Sequence, residues 1–133
     1  MANSAIFGQV QGVATATSPG LVSTSDQTFS GTKSLQNGVA FGITNITTAV
    51  TLSSTHAYVR CGGSTGYTVT LPDAATIASG REYIIKSILT TPGQLVTVAT
   101  TSSQTIDGST TPVTLARYNT LRVINNGSGW DIV

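Results

Sequence analysis

Alternation of apolar and polar positions is the dominant signal along the chain. Tyr67, Val69 and Leu71 fall on one side of a run whose other side carries Thr68 and Thr70, and Pro72 ends it. A period of two is the pattern of a half-buried β-strand. After a connection of small residues, residues 80–86 carry apolar side chains on both sides, as a more central strand does. These two runs read as an organising pair, with the later runs extending the same sheet. Further strands are expected at 48–52, 57–61, 95–100, 104–107, 113–115, 121–124 and 130–133. Asn125-Asn126-Gly127-Ser128-Gly129 joins the last two as a hairpin, because Asn and Gly accept positive φ. The only helix candidate is 73–79, with Asp73 as cap and Gly80 as stop; an ordered loop fits it equally well.

Short strands at roughly 8–12-residue spacing, punctuated by Gly and Pro, predict an all-β fold. We expect an antiparallel β-sandwich or barrel-like domain over residues 46–133. Its core should hold Val69, Leu71, Tyr83, Ile85, Val96, Val98, Leu115, Leu121, Val123 and Ile132.

Residues 1–45 are different material. Residues 10–17 are small and β-branched without a helical period, Ser18-Pro19-Gly20 is a turn signal, and residues 21–31 have isolated apolar points. Such a stretch cannot offset its chain entropy by burying itself. Its apolar points Ile6, Phe7, Val10, Leu21, Val22 and Phe29 point to an extended N-terminal arm laid against a partner, and these six residues are the candidate attachment site.

Composition narrows the partners. Only 8% of the 133 residues are charged and the net charge is +1, so little long-range repulsion opposes association between copies. The cations Lys33, Arg60, Arg81, Lys86, Arg117 and Arg122 are scattered along the sequence, which argues against nucleic acid as a partner. No apolar run approaches the length of a membrane span, and the N-terminus lacks the basic and apolar regions of a secretory signal. Cys61 is the only cysteine, which fits assembly in a reducing compartment.

Chemistry-bearing residues are few. His56 is the only histidine, so no His-based metal cluster or cofactor site is expected within one chain. Asp26, Asp73, Glu82, Asp107 and Asp131 are spread out, and Asp73 and Asp107 read as turn residues rather than a glycosidase pair. Gly62-Gly63-Ser64-Thr65-Gly66 lacks the lysine and following helix of a phosphate loop. Trp130 and the tyrosines Tyr58, Tyr67, Tyr83 and Tyr118 read first as packing residues and second as a sugar-stacking surface. No enzyme activity is expected.

Several motifs in order carry a resemblance. They are residues 66–72 (GYTVTLP), residues 80–86 (GREYIIK), Val96-Thr97-Val98, Thr105-Ile106-Asp107-Gly108, the strand after Tyr118, and Gly129-Trp130. Together they resemble a β-rich module of tailed-bacteriophage head-decoration and fibre proteins. Residues 20–31 are similar to the shaft-like linkers of phage fibres. One departure is Ser87, where that family often has Asn after the lysine. The resemblance implies a structural, often homotrimeric virion protein without catalytic residues. It implies the major capsid protein as partner and the outer capsid surface as location, after assembly in the host cytoplasm. The alternative is the receptor-binding tip of a tail fibre, recognising carbohydrate or another cell-surface group. A short chain opening on Met1 with its own arm favours decoration.

Overall fold

The computed structural model describes Thr32 and residues 38–133. The six arm residues Ile6, Phe7, Val10, Leu21, Val22 and Phe29 lie outside the described residues. Among those described are nine strands: β1 (Ile43–Ile46), β2 (Val50–Thr51), β3 (Tyr58–Cys61), β4 (Tyr67–Thr70), β5 (Glu82–Ser87), β6 (Val96–Ala99), β7 (Val113–Leu115), β8 (Thr120–Asn125) and β9 (Trp130–Ile132). The all-β reading holds. The helix candidate reduces to one 3₁₀ turn, Ala74–Thr76, capped by the Asp73 side chain. The first paired strand, β1, begins inside the stretch assigned to the arm.

The strands form two sheets with alternating membership. One has the order β1-β3-β5-β8-β9 and the other β2-β4-β6-β7. Within the first, β1, β3 and β5 are parallel; within the second, β2, β4 and β6 are parallel. The chain therefore coils three times, laying one strand in each sheet per turn. Three antiparallel additions follow: β7 on β6, β8 on β5, and β9 on β8.

The expectation of a purely antiparallel domain is thus corrected, and so is the pairing of residues 67–71 with 80–86. Those two runs became β4 and β5, which lie in different sheets. The physical reason is that alternation reports burial and not direction. Gly and Pro likewise mark a corner as readily as a reversal. Gly62-Gly63 is such a corner, carrying the chain from one sheet to the other instead of folding it back. Parallel neighbours need a long crossover, and here each crossover contains the strand of the opposite sheet.

Inward side chains stack in rows along the coil. Val50, Val69, Val98 and Val113 form one row across the four-stranded sheet. Val59, Ile85 and Leu121 form the facing row across the five-stranded sheet. Both sets belong to one apolar cluster. Full burial of a Val, Leu or Ile side chain is worth about 1.5–3 kcal/mol, so rows of this kind hold the two sheets together. Tyr83 and Trp130 fill the same core with ring centroids 5.5 Å apart and planes inclined by 50°. Nine of the ten expected core residues are buried; Ile132 is 43% exposed. Ile132 follows the inward alternation, but β9 is an edge strand, and among the described residues no further strand covers its outer side.

The strand expected at 104–107 is only an isolated bridge of Ile106 with Ser109 and Trp130. Asp107 and Gly108 both have positive φ, 49° and 78°, and form a tight turn closed by mutual backbone bonds between Ile106 and Ser109. Such a turn suits Asp-Gly. At Gly66 the reason for glycine is space: a Cβ there would strike the carbonyl oxygen of Leu95.

Candidate functional site

The residues with the most reactive chemistry hold loops in place. The imidazole Nδ1 of His56 accepts the Ser53 backbone N–H at 3.0 Å and lies 3.0 Å from Ser53 Oγ. A nitrogen already holding a backbone donor is poorly placed to take a proton from that hydroxyl. The same loop is fixed from the five-stranded sheet: Arg81 donates to the carbonyls of Ser54 and His56, and the Tyr83 hydroxyl donates to the Ser53 carbonyl at 2.9 Å.

Cys61 is fully buried, and burial pushes its thiol up to about 11. A buried thiol that keeps its proton this firmly is a poor nucleophile at neutral pH. Its neighbour Tyr67 is also pushed upward, first by burial and then by Cys61, and donates to the Ile46 carbonyl at 2.9 Å.

The acids divide in the same way. Asp73 accepts the Ala75 N–H and the Gln104 amide, as a capping residue does. Asp107 was expected to bond its own loop; its carboxylate instead accepts the Ile132 N–H at 2.8 Å, tying its turn to the last strand. Asp131 accepts the Asn126 side-chain amide. Glu82 takes a bidentate pair from Arg122, with contacts of 2.7–3.1 Å. Among the described residues no three His, Cys, Asp or Glu side chains are grouped to hold a metal ion.

The aromatic residues separate by depth. Trp130 and Tyr83 are core, Tyr58 and Tyr67 are half-buried, and Tyr118 reaches the surface. Tyr118 is 58% exposed and sits at φ +68°, an unusual backbone for a bulky residue. The Arg117 guanidinium lies over its ring at 4.5 Å, and Lys86 donates to its carbonyl.

One face gathers what the sequence scatters. Among the described residues, every charged residue within a strand belongs to the five-stranded sheet: Arg60, Glu82, Lys86, Arg122 and Asp131. The outward positions of the four-stranded sheet are instead uncharged, with Thr68, Thr97 and Thr114 in one row. The five-stranded face also carries the apolar stripe of Phe41, 58% exposed, and Ile43, 63% exposed, beside Tyr58 and Ile84. A groove of about 290 Å³ opens there, lined by Phe41, Ala57, Gly80, Arg81, Glu82 and Ile84. Sequence reading missed this face because its members are far apart in the chain. The available signal was their shared outward parity, hidden until strand register was known.

No protein-family model matches the chain, and no curated protein or solved structure is similar to it at a significant level.

Proposed function

We propose that the chain is a structural virion protein that decorates the outer surface of a tailed-phage capsid. The part of residues 1–45 that precedes β1 provides the attachment to the major capsid protein, and the β domain, β1 included, covers or projects from the surface. The resemblance of the strand motifs supports this reading, and it implies a homotrimer. The observation that carries it most is the use made of His56, Cys61, Asp73 and Asp107. Each is committed to a turn, a cap or the core, as in a domain built to persist. The arm contributes apolar points without a core, so a partner surface must compensate its ordering. Extended chain can add to an exposed sheet edge through backbone bonds that demand few particular side chains.

A receptor-binding fibre tip is the second reading, favoured by the exposed Tyr118 between Arg117 and Lys86, an arrangement suited to a saccharide bearing an anionic group. Sedimentation with capsids stripped of this protein separates the two. The full chain should co-sediment, while a chain lacking residues 1–37 should stay in the supernatant with an unchanged β-type circular dichroism spectrum. Full-affinity binding by the shortened chain would reject the arm as anchor. Antibody labelling confined to the tail tip would reject decoration.

A further inference from the structure

Two cations stand side by side on the outward face of the five-stranded sheet. Arg60 on β3 and Lys86 on β5 are partners in register, flanked in the same row by the uncharged Asn45 and Thr120. Neighbouring strands lie about 4.8 Å apart, and like charges so placed repel unless something neutralises them. Glu82, the acid of β5, is four residues away along the strand, roughly 13 Å, and is held by Arg122 in the only salt bridge among the described residues. Arg117 brings a third cation to the Lys86 end, since its guanidinium lies over the Tyr118 ring and Lys86 donates to the Tyr118 carbonyl. Three cations thus gather without an acid in a chain whose net charge is only +1.

Most of their donors are unspent. Among the described residues the Lys86 ammonium gives one of its three to the Tyr118 carbonyl. Arg60 gives one of its five to Asn45 Oδ1 at 3.4 Å, and Arg117 gives one to the Tyr118 hydroxyl.

Tyr118 supplies a second, independent observation. The Asn119 N–H donates to the Ala116 carbonyl at 3.0 Å, closing a four-residue turn with Tyr118 in its third position at φ +68°. Glycine or asparagine is the unstrained residue there. The ring is mostly exposed, so core packing does not offset the strain. Strained residues that packing does not explain concentrate at ligand sites.

We propose that Arg60, Lys86, Arg117 and Tyr118 form a binding site for a phosphate ester. Arg60 and Lys86 take the phosphate oxygens, and the stacked Arg117–Tyr118 pair carries the group to which the phosphate is attached. A carboxylate brings a single charge, whereas a phosphate monoester brings about −1.5 to −2 and three acceptor oxygens, a better match to three cations. A single cluster suits one phosphate and not the continuous basic track that a nucleic-acid strand requires. This assignment deepens the Tyr118 contact of the second reading and does not depend on the capsid.

The test is isothermal titration calorimetry on the full chain with phenyl phosphate, and with sodium acetate at equal ionic strength as control. The wild type should bind the ester and not acetate. Arg60→Gln should weaken binding by at least about tenfold, with a thermal midpoint unchanged or raised, because one of two repelling cations is gone. Tyr118→Gly should also weaken binding without lowering the midpoint; a lowered midpoint with intact binding would make Tyr118 merely structural and overturn its role. In a second arm, vesicles containing phosphatidylglycerol replace phenyl phosphate, and the arm that binds names a soluble ester or a lipid headgroup as the source. No binding in either arm overturns the proposal, as does binding that Arg60→Gln leaves unchanged. Affinity that rises with the length of a single-stranded oligonucleotide overturns the single-phosphate site in favour of a nucleic-acid track. Failure of the wild type to co-sediment with stripped capsids rejects decoration and leaves this site standing.

Discussion

The side-chain amide of Asn125, the last residue of β8, donates to the carbonyl of Ala74 at 2.9 Å, across 51 positions of sequence. The same amide reaches the carbonyls of Ile77 and Ala78, and its oxygen accepts the Gly127 N–H at 2.7 Å. One buried residue thus closes the 3₁₀ turn and begins the final hairpin. Gln104 supports the turn from the other side by accepting the Ala74 N–H.

Asn125→Ala should destabilise the domain by about 2–4 kcal/mol, because it strips partners from several carbonyl groups at once. Denaturant unfolding measures this directly. A loss below about 0.5 kcal/mol would show that water replaces the amide without penalty.

Ile85 and Ser87 are both buried on β5 and make opposite predictions. Ile85→Ala should cost roughly 2–4 kcal/mol, from lost transfer energy and a residual cavity. Ser87 Oγ has no hydrogen-bond partner among the described residues, so Ser87→Ala removes an unsatisfied polar atom. Its stability should lie within about 0.5 kcal/mol of wild type or above it. Parallel melts of the two variants check the pair; a large loss at Ser87 would contradict the assignment.

Alkaline pH should weaken the fold through Cys61. The unfolded thiol ionises near its ordinary value of 9.0, while the buried one holds its proton to about 11. Between those values the native state binds more protons than the unfolded chain. Stability is therefore full below about pH 9 and falls as pH rises toward 11, by up to roughly 1.4 kcal/mol per pH unit. Tyr67 and Tyr83, both raised chiefly by burial, act in the same direction above pH 10. Urea midpoints at pH 8, 9 and 10 should drop in sequence for the wild type. Cys61→Ala should flatten the step between 9 and 10; an unchanged step would assign it elsewhere.

By itself the sequence determined most of the strands and which side of most of them is buried; it left β1 in the arm and placed a strand at 104–107 where only an isolated bridge forms. The alternation at Tyr67–Thr70 and Val96–Ala99 is a local consequence of side-chain direction along an extended backbone. The hairpin between β8 and β9 was legible for a similar reason, since Asn and Gly set the turn within a few residues. Strand partners were decided only in three dimensions. Whether Tyr67–Thr70 lies beside Glu82–Ser87 or beside Val96–Ala99 depends on how both apolar faces close over one core, and no local residue encodes that choice. The charged face followed from the same decision. Arg60 and Lys86 are 26 positions apart, and become neighbours only because β3 and β5 pair in parallel with that offset. Ile132 shows the converse limit: its alternation was read correctly, but edge position is a property of the whole sheet, so burial did not follow.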